Sequence, residues 1–190
     1  EINGNVPYFD TQSLPRESYE NYAELDALGR CGVAEACVGL DLMPTEPRGS
    51  ISSVTPSGFV NNQYPADIVP GGWIYNRCHL IGWQLSGENA NKKNLITGTQ
   101  YLNIEGMLPF ENMVAAYVKY TGRHVLYRVT PVYDGNNLLA SGVTIEGYSV
   151  EDDGGGICFY VYVHNVQPGI GINYMNGENW LLENSIRYKQ

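Results

Sequence analysis

The spacing of apolar positions divides the chain into a loosely patterned front and a strongly patterned back. Residues 1–14 show no sustained period and are expected to form an irregular arm. Tyr19, Tyr22, Leu25 and Leu28 recur at helix-like intervals, which predicts a weak helix over Glu17 to Leu28. Leu40 to Pro70 is rich in Pro, Gly and Ser and reads as a long ordered loop lying against the body. Trp73 to Tyr75 reads as a strand, Leu80 to Leu85 as a short apolar segment, Gly87 to Lys93 as a polar loop, and Leu95 begins a new element. Pro109 fits a helix only in its first turn, where no amide hydrogen is needed. Two helical pieces follow from this, one around Asn103 and one from Pro109 to about Tyr120, with Phe110, Val114, Tyr117 and Val118 as its apolar stripe and Gly122 as its end. Strands are predicted over Val125 to Tyr133, Leu139 to Val150 and Ile157 to Val166, separated by turn residues at Asp134 to Asn137 and Asp152 to Gly156. That pattern is an antiparallel meander. The tail from Gln167 to Gln190 carries Trp180, Leu181 and Leu182 and is expected to pack back onto the body. The fold class is α+β with a central antiparallel sheet.

Length and composition set limits on this picture. At 190 residues and 43% hydrophobic content the chain is long enough to bury a core as one domain, 1–190, and a monomer is expected. No apolar run approaches the roughly 20 residues that cross a bilayer. No signal peptide is read in the sequence, which begins abruptly at Glu1-Ile2-Asn3-Gly4, and the abundance of Tyr, Asn and Gly with scarce Lys is common in exported bacterial proteins. A secreted or cell-surface bacterial protein, with its leader absent from this chain, is the expectation. Cys31 and Cys37 lie in a strand-like segment, where six extended residues would hold their Cα atoms far beyond the ~7 Å limit for a disulfide. Free or differently paired thiols are expected there, a small disulfide-closed loop being the alternative if the chain turns, and no cysteine spacing makes a zinc site.

Candidate chemistry concentrates in Tyr75-Asn76-Arg77-Cys78-His79-Leu80 and in the segment ending at Asn103. Hydrolysis of a phosphodiester needs a base working near neutral pH, a role suited to the imidazole of His79. It also needs a hard cation, and Mg²⁺ accepts few protein oxygens while keeping its waters, so the amide oxygen of Asn103 is an adequate ligand. Arg77 adds a planar, permanently charged fork for phosphate oxygens. The net charge of −9 argues against tight, non-specific gripping of nucleic acid, but charge is uneven along the chain. Between Asn76 and Gln100, Arg77, Lys92 and Lys93 stand against Glu88 alone, which makes Lys92 and Lys93 candidate substrate contacts. His124 and His164 lie in strand-like runs and read as structural.

At these residues the chain resembles the DNA/RNA non-specific endonucleases, the ββα-metal-finger (His-Me finger) nucleases, and in particular their secreted and surface-attached bacterial DNases. The family's Asp-Arg-Gly-His core falls on Asn76, Arg77, Cys78 and His79, with further likeness over Glu88 to Thr99 and Glu105 to Asn112. The resemblance implies a metal-finger core over residues 75–120 and Mg²⁺ as cofactor, with Mn²⁺ as its substitute. It also implies His79 as general base, Asn103 as direct metal ligand, Arg77 on the scissile phosphate, Asn94 as a polar support and Glu111 holding metal-bound waters. Asn76 replaces an acid, Cys78 replaces a glycine, and Ala115 stands where some members carry a further arginine. Strand alternation turns the Cys78 sulfur toward the core while His79 faces the metal; a sulfur in the site would instead bind soft metals.

The function expected is Mg²⁺-dependent, sequence-non-specific hydrolysis of DNA, with RNA open as a second substrate. A catalytically impaired relative that binds nucleic acid at the cell surface, and a carbohydrate or adhesion module, are the alternatives.

Overall fold

The computed structural model describes residues 1–183. In chain order the elements are β1 (Tyr19–Tyr22), β2 (Ala34–Val38), β3 (Tyr75–His79), α1 (Trp83–Ser86), β4 (Leu95–Thr99), a π-helical turn (Leu102–Met107), α2 (Leu108–Thr121), β5 (Val125–Val132), β6 (Gly142–Ser149), β7 (Cys158–His164), β8 (Ile170–Ile172) and β9 (Asn179–Leu181). Five strands form one antiparallel sheet in the order β1-β2-β5-β6-β7, and β3 pairs with β4 as a separate antiparallel ribbon.

The sheet has apolar side chains on both faces. On one, Ala36, Tyr127, Val129, Val143, Ile145 and Phe159 pack with Val114, Ala115 and Val118 of α2, with Cys78 and Ile96 of the ribbon and with Leu80 just after β3. On the other, Cys37, Leu126 and Tyr148 form a cross-strand row covered by Phe9 and Leu14 of the N-terminal segment. That segment is pinned by charge as well as by packing. Arg128 grips the buried Glu146 through Nε and Nη2 at 2.6 and 2.8 Å, and the pair bonds the carbonyl and amide of Tyr8. A third cluster, built on Val69, Ile74, Tyr75, Leu139 and Ile170, ties the long loop to the C-terminal strands.

The α+β class and the β5-β6-β7 meander match expectation. The predicted helix over Glu17 to Leu28 does not form. Tyr19 to Tyr22 is a strand, and the Tyr19 hydroxyl reaches Glu35 on β2 at 2.7 Å. After it, the Asp26 carboxylate accepts the amides of Leu28 and Arg30, a local turn that competes with a helix. The two helical pieces are contiguous: the π-helical turn runs into α2, with Pro109 in α2's first turn and Gly122, at φ +70°, closing it. The strand predicted from Leu139 starts at Gly142, because the amides of Leu138 and Leu139 bond Met175 and Tyr174 instead. Residues 184–190 of the expected tail lie outside the described residues. No described helix is long and apolar enough to cross a membrane.

Candidate active site

His79 is the last residue of β3, paired with Leu95 across the ribbon, and is buried. The chain leaves it through a clamp made by the wholly buried Asn94. The Asn94 Oδ1 accepts the Ile81 amide at 2.8 Å and its Nδ2 donates to the Ile81 carbonyl at 3.0 Å. The ring itself is held by the Asn89 carbonyl, 2.9 Å from Nε2. A carbonyl only accepts, so Nε2 carries the proton and Nδ1 the lone pair. Burial, with the charge of Arg48, pulls the imidazole pKa below its ordinary value, against the raising influence of the Asn89 carbonyl and Glu88. A neutral ring with a lone pair at Nδ1 can act as a general base near pH 7. In this structure Nδ1 accepts a long hydrogen bond from Arg48 Nη2 at 3.4 Å.

Asn103 sits in the π-helical turn, where the Leu108 amide bonds its backbone carbonyl, and Glu111 sits in the first turn of α2. Both line, with Arg48, His79, Gly82 and Gln84, a cleft of about 260 Å³. Burial pushes the Glu111 carboxyl up to about 7, opposed by a hydrogen bond from Gln84 and the charge of Arg48. Gly82 is required for this arrangement, since a Cβ there would lie 2.3 Å from Glu111 Oε2. Among the described residues no group of three His, Cys, Asp or Glu side chains could hold a metal. With both imidazole nitrogens engaged, the oxygen donors at the cleft are one amide and one carboxylate, a sparse set that fits a divalent cation keeping most of its waters.

Arg77 lies in the wall of a neighbouring cleft of about 620 Å³, which shares Arg48 and Asn103 with the first. Its Nε donates to the Val54 carbonyl at 2.5 Å and its guanidinium stacks 4.7 Å over the Phe59 ring. Lys92 and Lys93 line neither cleft; Lys92 is exposed and Lys93 is ion-paired with Glu24. Two residues at the site are not singled out by the sequence, although Asn89 lies within the resembling stretch Glu88 to Thr99. Arg48 lies in Pro44-Thr45-Glu46-Pro47-Arg48-Gly49-Ser50, with no spacing that ties it to the His79 motif. Asn89 acts through its backbone on His79, and its side-chain Oδ1 accepts the Gly49 amide at 2.7 Å, so one residue holds both the base and the Arg48 loop.

Residues 11–151 match the family model described as DNA/RNA non-specific endonuclease. The chain belongs to that family. Solved structures with the same fold include NucA from Streptococcus agalactiae with magnesium bound, 22% identical, covering 95% of this chain and 85% of that one, with a TM-score of 0.82. Sda1 nuclease with a bound zinc ion is 27% identical over 94% of each chain, with a TM-score of 0.80. A protein described as an extracellular endonuclease is 20% identical, covering 94% of this chain and 90% of that one, with a TM-score of 0.67. No curated protein sequence matches significantly. The endonuclease is thus a nucleic-acid hydrolase of α+β fold.

Its two departures from the family motif have structural counterparts. Cys78 of the endonuclease is fully buried and faces the core, as strand alternation requires. Gly98 on β4 makes room for it, because a Cβ there would stand 2.6 Å from Cys78 Cβ. The sulfur lines neither cleft, yet it touches the site from behind: Sγ lies 3.2 Å from Asn103 Oδ1 and 3.5 Å from Met107 Sδ. Burial pushes the thiol pKa well up, so it keeps a proton to donate. Asn76 lies half-buried in the wall of the larger cleft.

Proposed function

We propose that the endonuclease hydrolyses phosphodiester bonds of DNA and RNA without sequence preference, using Mg²⁺, with Mn²⁺ as its substitute. The observation that carries this reading is the divided bonding of His79. With Nε2 bound to a backbone carbonyl, the Nδ1 lone pair lies beside a cleft that also holds Asn103 and Glu111, with Arg48 Nη2 as its partner at 3.4 Å. His79 Nδ1 takes the proton of the attacking water. Arg48, which lines both clefts, exchanges its long bond to Nδ1 for the phosphate oxygens when substrate binds, and Arg77 meets the adjoining stretch of backbone. Asn103 Oδ1, which has a second lone pair beside the one facing Cys78, would hold the metal directly, and Glu111 would hold its waters. When bound, Mg²⁺ supplies charge to the phosphate and the leaving oxygen. Contacts of this kind read backbone rather than base edges. Export is the setting that the relatives support, two of the solved structures being described as extracellular. Incubation with supercoiled plasmid and with single-stranded RNA, in Mg²⁺ and in EDTA, tests the proposal. Nicking and linearisation in Mg²⁺ alone are expected, and an intact plasmid in both tubes would leave only a binding protein.

A further inference from the structure

The larger of the two clefts has an unused aromatic wall. At about 620 Å³ it falls within the roughly 300–1,000 Å³ of small-ligand sites, and through Arg48 and Asn103 it opens onto the candidate catalytic centre. Trp73 stands on its rim with 47% of its surface exposed. Among the described residues no other ring packs against this indole and nothing bonds its Nε1. Its backbone is fixed nonetheless: Trp73 bridges Gln63, and Ile74 beside it is fully buried. The result is a half-wetted aromatic face on a fixed stretch of backbone. Around it are donors with no internal partner. Arg77 has its Nε committed to Val54 and its plane to Phe59, leaving both Nη groups open, and the Asn76 amide is bonded to no described residue. Asn61, by contrast, is spent on the Tyr75 backbone.

We propose that this cleft is a subsite for one unpaired nucleobase adjacent to the phosphate being cleaved, stacked on Trp73 and anchored by Arg77. The proposal rests on the nuclease reading above. A flat π-face with flanking guanidinium donors fits a planar base joined to a phosphate. Bases inside a duplex have both faces covered by their neighbours, so occupancy requires a single strand, a frayed end or a displaced nucleotide. Stacking is tolerant of base identity, which keeps the enzyme sequence-neutral while giving it a preference for unpaired substrate.

The test uses single-stranded oligonucleotides with one cleavable phosphodiester among methylphosphonate linkages, carrying an ordinary base or an abasic residue on its 5′ or 3′ side. Removal of the base on one of the two sides is expected to lower kcat/KM on the order of tenfold, chiefly through KM. Trp73→Ala should erase the difference and Trp73→Phe should keep most of it. Equal cleavage of all substrates by the parent, or a preference that survives Trp73→Ala, overturns the subsite and leaves the nuclease reading intact. If nothing is cleaved, that reading fails instead, and 2-aminopurine fluorescence in the same oligonucleotide still decides the subsite. Quenching by the parent but not by Trp73→Ala upholds it; equal quenching refutes it.

Discussion

His79 makes different bonds at its two nitrogens, and the difference can be measured. His79→Ala should lose roughly 10²- to 10⁴-fold in kcat, the usual effect of removing a general base, with circular dichroism unchanged. The base works only when neutral, so kcat/KM should climb with pH and level off near the imidazole pKa of the free enzyme. That pKa is depressed by burial, which places the midpoint of the climb below about 6.5. A midpoint well above 7 would mean that another group titrates. Cys78 gives a second measurement. Its thiol donates to Asn103 Oδ1, and a net hydrogen bond is worth about 1 kcal/mol, or roughly fivefold in an equilibrium constant. Cys78→Ala should raise the Mg²⁺ concentration for half-maximal activity several-fold, whereas Cys78→Ser, which keeps a donor, should stay near the parent. Identical Mg²⁺ titrations for all three proteins would show that the contact does not orient the amide. The inward direction of Cys78 was legible from strand alternation. Its meeting with Asn103 was not, since it depends on how a helical turn seats behind the ribbon.

At the scale of elements, the site depends on α2 lying close against the turn after β3. The buried Glu111 carboxyl is the sensitive point. Its pKa rises from 4.5 to about 7 in the folded chain, so between these values the folded state holds a proton that the unfolded state has lost. Stability of the metal-free protein therefore falls as pH rises through this window, by roughly 3 kcal/mol for a shift of this size. Glu20, also raised to about 7 by burial and by Glu88, acts in the same direction, so the parent must be compared with Glu111→Gln. Thermal unfolding in EDTA from pH 5 to pH 8 should show a markedly smaller loss in the variant; parallel curves would place Glu111 in a wetter setting. The meander and α2 could be read from sequence because long alternating runs, Pro109 and Gly122 punctuate them strongly. β1 could not, because four residues are too few to show a period of two, and Tyr19 and Tyr22 also satisfy a helical one. Arg48 was hidden for a related reason: it sits in a loop without periodicity and reaches His79 across 31 residues of sequence, while Asn89, inside the resembling stretch, acts through a backbone carbonyl that no side-chain pattern marks.

For the molecule as a whole, a net charge of −9 accompanies a site with few cations. Arg48 and Arg77 line the clefts, while Lys92 and Lys93 do not. With two phosphate contacts, at about 0.7 to 0.9 of a counterion each, the slope of log(1/KM) against log[NaCl] should be no steeper than about −2. A slope near −5 would reveal a basic surface elsewhere. The cysteines bear on the whole molecule in another way. Cys31 belongs to the core under α2 and Cys37 to the core under the N-terminal segment, on opposite faces of one sheet, and both are free, as are Cys78 and Cys158. The described fold contains no bond that a reductant could cut and none that an oxidase must first form. An enzyme assembled this way can reach its native state without catalysed thiol oxidation and keep it in anaerobic or thiol-rich surroundings, where disulfide-stapled proteins come apart.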